Sequence, residues 1–197
     1  MKRYLVLLLV LVCGAAAAQA TPPVRLRGTV ESYTGANLVI RERSGNMVTL
    51  TLPEDTGIAE VIPTDITSIQ PGSFIGTAAL PRADGTLESL EVVVFPEAAR
   101  GTGEGHFPWD LKPESSMTNA TVAELARSSN GRTLKLRYKD GEKTVIVPDG
   151  IPVVTLRAGD RSLIVPGAKV FVVAEPDDAQ FTVRRLLIGR NGFQPPR

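Results

Sequence analysis

One cysteine, one histidine and one tryptophan occur in 197 residues, and only 5% of the chain is aromatic. Each shortage removes a class of chemistry. A soft-metal centre draws on several His or Cys ligands, and His106 with Met47 and Met117 does not supply them. A Ser-His-Asp or Cys-His arrangement could be built only around His106, and no Gly-x-Ser-x-Gly elbow presents a nucleophile. Gly101-Thr102-Gly103-Glu104-Gly105 is glycine-rich, but no Gly-Lys-Ser or Gly-Lys-Thr follows it, as a phosphate loop requires. Acidic residues are plentiful but lie on separate strands and turns, so their spacing names no acid/base pair. The expectation is a protein that is not an enzyme and has neither cofactor nor metal.

The N-terminus is the most explicit stretch. Met1-Lys2-Arg3 is a positive n-region, Tyr4 to Ala18 is an apolar run, and Ala18-Gln19-Ala20 is a small-x-small cleavage site. Residues 1–20 therefore read as a signal peptide. The apolar run is short of the roughly 20 residues that span a bilayer, and Val12 before Cys13 is not the small residue of a lipoprotein signal. Cleavage after Ala20 would remove the only cysteine, leaving an exported protein, periplasmic or extracellular, with no disulfide and no transmembrane segment.

From Val24 onward the apolar residues fall in short β-branched runs punctuated by Gly, Pro, Asn and Asp, the pattern of strands and turns. Strands are predicted at about 24–33, 37–43, 47–52, 73–80 and 86–95, with hairpin turns at Ser44-Gly45-Asn46 and Ala83-Asp84-Gly85. Between the third and fourth of these, Glu54 to Gly72 holds a short helix or turn capped by Asp65 or Thr64 and stopped by Pro71-Gly72.

The second half repeats the order. Ala120-Thr121-Val122 echoes Gly28-Thr29-Val30, and Leu134 to Arg137 echoes Leu38 to Arg41. Thr144 to Pro148 echoes Thr49 to Pro53, Ser162 to Gly167 echoes Thr67 to Gly72, and Thr182 to Leu186 echoes Thr86 to Leu90. Anchors in the same order with few gaps predict an internal duplication. On the strand-opening Gly28-Thr29-Val30 and Ala120-Thr121-Val122, the mid-domain Pro-Gly pairs and the closing Thr-x-x-x-Leu strand, each half resembles a small exported bacterial domain of unknown function, repeated in tandem in many secreted proteins and similar to OB-fold barrels. The resemblance implies an all-β fold of two consecutive five-stranded OB-like barrels, 24–96 and 119–192, joined by 97–118; it carries no catalytic residues.

Charge is divided between the halves. Val24 to Ala99 has five arginines against ten acids, and Met117 to Arg197 has thirteen Lys and Arg against eight. Lys135, Arg137 and Lys139 alternate onto one face of a strand and form the best candidate for an electrostatic contact. Tyr138 points the other way, so the basic face lacks the stacking aromatics of a nucleic-acid surface and no nucleic acid is expected.

The stretch His106-Phe107-Pro108-Trp109-Asp110-Leu111 is too apolar to float in water. Either Phe107, Trp109 and Leu111 fill the seam between the barrels, or Trp109 lines a groove for a partner or ligand. The functional expectation is a binding or assembly module, with His106, Phe107, Trp109, Asp110, Lys135, Arg137 and Lys139 as its contact residues and an envelope protein as its partner. The alternative is a carrier with a small molecule or ion at the interdomain seam.

Overall fold

The computed structural model describes residues 22–128, 131–177 and 180–196. The expected signal peptide lies outside them. Among the described residues no helix is long and apolar enough to cross a membrane. Thirteen strands are present among them. The first half contributes β1 (Val24–Tyr33), β2 (Asn37–Glu42), β3 (Met47–Thr51), β4 (Gly57–Pro63), β5 (Phe74–Pro81) and β6 (Leu87–Val94). A short β7 (Gly105–Pro108) follows. The second half contributes β8 (Ser116–Ser128), β9 (Gly131–Tyr138), β10 (Gly141–Pro148), β11 (Val153–Ala158), β12 (Lys169–Asp177) and β13 (Gln180–Gly189).

These strands form one continuous sheet that closes on itself twice. In one circuit β1, β2 and β3 pair in succession, β3 meets β13 in parallel, β13 pairs with β12, and β12 returns to β1. In the other, β8, β9 and β10 pair in succession, β10 meets β6 in parallel, β6 pairs with β5, and β5 returns to β8. Each circuit is a closed five-stranded barrel, and closure leaves few sheet edges free to recruit other chains. Each barrel has its own core. Leu38, Ile40, Leu50, Val172 and Leu186 lie in the first, and Ile75, Val92, Leu134, Leu136 and Val145 in the second.

The expected division into barrels 24–96 and 119–192 is corrected by this pairing. The first barrel takes three strands from the first half and its closing hairpin, β12–β13, from the second; the second barrel takes β5–β6 from the first half. The two halves have exchanged hairpins. The reason lies in two strands that read as loop in the sequence, β4 and β11. Instead of folding back as turns, they run between the barrels and pair with each other antiparallel, with Val61 opposite Leu156 at the centre of the ladder. They also pair in parallel with β13 and β6. The exchanged β12–β13 hairpin buries Val170, Val172, Val183, Leu186 and Ile188 in the first barrel. At roughly 1.5–3 kcal/mol for each buried aliphatic side chain, that is on the order of 10 kcal/mol, an upper estimate.

The ladder is symmetric. Pro148 and Pro166 lie 95 residues after Pro53 and Pro71, and by the same offset Val61 corresponds to Leu156, its own partner. Both halves carry a bulge at equivalent places in their first hairpins, between Val30 and Ser32 and between Val122 and Glu124. Both carry a second in their last hairpins, between Ala78 and Ala79 and between Val173 and Ala174. Matching irregularities support the internal duplication more strongly than matching strands, because a bulge is a local choice of register. They also shift one alignment: Ala79 pairs with Ser89 and Ala174 with Val183, so Val183 corresponds to Ser89 and not to Leu87.

The expected short helix is a single 3-10 turn, Ile66–Ser68, whose N-cap Asp65 accepts a hydrogen bond from Thr67 N at 2.7 Å. Its counterpart is Arg161–Leu163, capped by Asp160 through Ser162 N at 2.8 Å.

Hairpin exchange has a direct chemical test. Thr51 on β3 stands opposite Thr182 on β13, whereas a first half closed on itself would place Thr51 opposite Glu88, by analogy with the Ile146–Glu88 pair. In a Cys13→Ser background, Thr51→Cys with Thr182→Cys should oxidise to an intramolecular disulfide, and Thr51→Cys with Glu88→Cys should not. Mass spectrometry of the oxidised monomers reads the outcome, and the reverse pattern would contradict the exchange.

Candidate functional site

Between the barrels, a third apolar cluster sits on one face of the bridging strands. Val61, Val93, Val154, Phe171 and Leu187 are buried in it, and Trp109 and Phe193 pack against it. The rest of the site is built by the chain from Gly101 to Asn119. Gly103 has φ +59, and a Cβ there would stand 3.1 Å from Asn119 Nδ2, so glycine lets this turn close against the strand. The Gly103 carbonyl accepts from Asn119 Nδ2 at 2.9 Å. β7 then adds to β8, with His106 opposite Thr118 and Phe107 opposite Met117.

His106 is held in place by its neighbours. Its Nδ1 is 2.8 Å from Thr118 Oγ1, and its ring stacks on Tyr138 with centroids 6.4 Å apart. Burial lowers the imidazole pKa and the nearby Lys143 charge lowers it further. Trp109 follows at a turn closed by its N–H to the Ser115 carbonyl at 2.8 Å, with the buried Ser115 hydroxyl 3.0 Å from the Trp109 carbonyl. The indole rests against three partners: the Arg25 guanidinium lies 4.1 Å from its ring centroid, Phe107 meets it edge-on at 6.0 Å, and Phe171 lies 6.4 Å away.

Asp110 anchors the segment to β1 by accepting from Arg27 at 2.8 and 3.3 Å. Burial pushes the Asp110 carboxyl up, but the Arg27 hydrogen bonds and charge, with the charge of Arg25, outweigh it and hold the group below its ordinary value.

Strand register arranges the opposite wall. Arg25 pairs with Val173 and Val173 with Arg185, so two arginines flank a valine in one row across β1, β12 and β13. Arg27, Phe171 and Leu187 form the next row. Paired residues point to the same side of a sheet, so both rows face the seam. Between this wall and Trp109 is a cavity of about 230 Å³, with Val173, Leu187 and Leu156 among its apolar lining and Asn119 and Met117 contributed by the second barrel. Neither the Arg25 nor the Arg185 side chain makes an ion pair or hydrogen bond to another described residue.

Two buried polar atoms of lining residues have no partner, Trp109 Nε1 and Asn119 Oδ1. Asn119 is only 6% exposed, and its amide is oriented by the bond to Gly103. A buried donor or acceptor left unsatisfied costs about 1–3 kcal/mol, so a ligand or ordered water that reached these two atoms would be stabilised. The cavity combines two cations and an apolar floor with an unpartnered donor and acceptor buried in its walls, which is equipment for binding.

Of the sequence-derived candidates, His106, Phe107, Trp109 and Asp110 are brought together at the seam. Lys135 and Arg137 lie on β9, Lys139 lies in the turn just past its end, and none of the three lines the cavity. Lys135 stands between Glu124 at 3.8 Å and Glu142 at 3.3 Å, which offsets much of its charge. The Lys139 N–H donates to Glu104 at 3.1 Å. Arg25, Asn119, Phe171 and Arg185 were missed. Asn119 carries no signal beyond its place before the strand-opening Ala120-Thr121-Val122; Phe171 and Arg185 reach the seam only because the hairpins are exchanged. Among the described residues no group of three or more His, Cys, Asp and Glu is placed to hold a metal ion.

No family model matches the chain, and no curated protein or solved structure is found similar to it.

The two titratable groups give opposite-direction substitutions a common readout. A carboxyl held below its ordinary value stabilises the fold above about pH 3.9 and loses that contribution as pH falls through its folded value. Asp110→Asn should therefore flatten the acid limb of a urea-stability profile below about pH 4, while costing no more than about 1 kcal/mol at pH 7, because Asp110 is 44% exposed and screened. A histidine whose pKa is lowered destabilises the fold as pH drops below about 6.5, where the unfolded chain takes up the proton first. His106→Gln should remove that separate step. An unchanged profile in either variant would contradict the corresponding assignment.

Proposed function

We propose that this is an exported, non-catalytic binding module built from two OB-type barrels, and that its working site is the cavity beneath Trp109. Export is supported by the n-region, apolar run and Ala18-Gln19-Ala20 at the N-terminus. The OB-type reading is supported by strand order: in the first circuit the third strand meets the fifth in parallel and the fourth returns to the first, the connectivity of a five-stranded Greek-key barrel, and the second circuit has the same spatial order with its closing hairpin drawn from earlier in the chain. The absence of catalysis rests on the sequence, whose single histidine is engaged with Thr118 and Tyr138.

The observation that carries the binding role is the pair of buried, unpartnered polar atoms, Asn119 Oδ1 and Trp109 Nε1, beside two guanidinium groups that form no ion pair with a described residue. A site optimised only for packing would pair or remove these groups. The reading is a carrier or sensor whose small ligand sits at the seam. A second reading, an adaptor for an envelope protein, draws on the exposed Arg137 and Lys139 near the end of β9, where Glu104 and the His106–Tyr138 stack tie the Trp109 segment to the second barrel.

Native mass spectrometry of the tagged protein recovered from the envelope fraction tests both. A small-molecule adduct that disappears on denaturation and is reduced at least tenfold in Trp109→Ala is the expected result. A protein captured by cross-linking in intact cells, and lost in Trp109→Ala or in Arg137→Glu with Lys139→Glu, would favour the adaptor instead. Neither adduct nor partner, with the variants folded as the parent, would overturn the binding role.

A further inference from the structure

We propose that the ligand of the seam cavity is a small organic carboxylate with a flat apolar body and a hydrogen-bond donor at the end away from the carboxylate. This rests on the binding role proposed for the cavity and specifies its chemistry. The charge argument comes from Arg25 and Arg185. Both line the cavity and flank Val173 in one row, and neither is in an ion pair with a described residue, although Asp110, bridged to Arg27, feels the charge of Arg25. Trp109 covers one face of the Arg25 guanidinium, which leaves the N–H edges as the directions open to a partner. A planar carboxylate suits such edges, since two N–H groups of one guanidinium match its two oxygens.

The opposite end is set by Asn119. Its Nδ2 is committed to the Gly103 carbonyl, so the buried Oδ1 is an acceptor awaiting a donor. Trp109 Nε1 is a donor only and calls for an oxygen acceptor on the ligand. Because the indole lies on Arg25, that acceptor belongs to the carboxylate end, and a hydroxyl at the far end of the ligand serves Asn119 Oδ1. Val173, Leu187 and Leu156 make the surface between the ends apolar, which excludes a ligand that is polar throughout. About 230 Å³ gives room for one ring with two small substituents.

The pseudo-symmetry of the molecule shows that this chemistry belongs to one side. At the positions equivalent to Arg25, Val173 and Arg185, the second barrel has Met117, Ala78 and Glu91 in register. Where the first barrel has Arg27 and Phe171, the second has Asn119 and Gly76. The duplicated faces have diverged into a basic, aromatic wall and one that carries an amide and a buried acid, and a single ligand spans the two.

The test uses 4-hydroxybenzoate as probe, with 4-hydroxybenzyl alcohol, benzoate and inorganic phosphate as comparisons, and reads Trp109 fluorescence and titration calorimetry on the purified full chain. Saturable binding of 4-hydroxybenzoate is expected. The neutral alcohol and the donor-less benzoate should each bind at least tenfold more weakly, and phosphate should neither bind nor compete. Arg185→Gln, an exposed position, should weaken 4-hydroxybenzoate at least tenfold while leaving the alcohol unchanged and the thermal midpoint within a few degrees; Arg25→Gln serves as the second variant. Equal binding of acid and alcohol, competition by phosphate, indifference to Arg185→Gln, or no binding of any probe would overturn the proposal. An adduct seen by native mass spectrometry together with failure of these probes would leave the binding role standing and remove only the carboxylate.

Discussion

The antiparallel contact between β4 and β11 is the constraint on which the rest of the molecule depends. Each of these strands leaves one barrel and enters the other, and their mutual pairing across Val61 and Leu156 makes the two crossings support each other. With the crossings in place, β5–β6 can reach only the second barrel and β12–β13 only the first. The closing parallel pairs, β3 with β13 and β10 with β6, then follow from the need to leave no sheet edge open. A barrel of five short strands has a marginal core when it stands alone. Exchange converts two marginal units into one in which neither core is complete without both halves.

The exchange also creates the seam. Because β13 and β6 border the bridging strands, the outer faces of both barrels approach one another across a shared apolar cluster, with Phe171 and Leu187 from one side and Val93 from the other. The Trp109 segment covers that cluster. It is tied down by local devices: β7 pairing on β8, the Ser115 turn, the Asp110–Arg27 bridge and the Arg25–indole stack. None is strong alone, since exposed ion pairs contribute little and a cation–π contact about 0.5–2 kcal/mol. Together they hold the indole where its N–H has no protein partner, a cost that packing offsets and a ligand would relieve.

Charge distribution changes meaning under the exchange. Read along the chain, the first half is acidic and the second basic. Read in space, the basic β13, with Arg184 and Arg185, closes the barrel that already carries Arg25, Arg27, Arg41 and Arg43. The basic face that borders a cavity is therefore on the first barrel, and the Lys135 row on the second is partly offset by Glu124 and Glu142. A charge ladder is legible in a strand by alternation, but whether it is solvated, paired or placed against a concave surface is decided by strands distant in sequence.

Local signals in the sequence determined the strands other than β4, β7 and β11, the hairpin turns at Gly45 and Gly85, and the capped single turns at Asp65 and Asp160, because each depends on residues within a few positions of one another. The docking of the Trp109 segment was also legible, since an aromatic cluster flanked by glycines has to be buried somewhere. Partner choice was not legible. Both halves carry the same alternation, the same bulges and the same closing hairpin, so either hairpin satisfies either barrel at the level of local register. Only the extension of Gly57–Pro63 and Val153–Ala158 into paired crossing strands distinguishes the two outcomes, and that pairing is a contact between segments about 95 residues apart. Arg185 and Phe171 came to the cavity by that long-range choice, which is why the tertiary structure, and no motif, assembled the site.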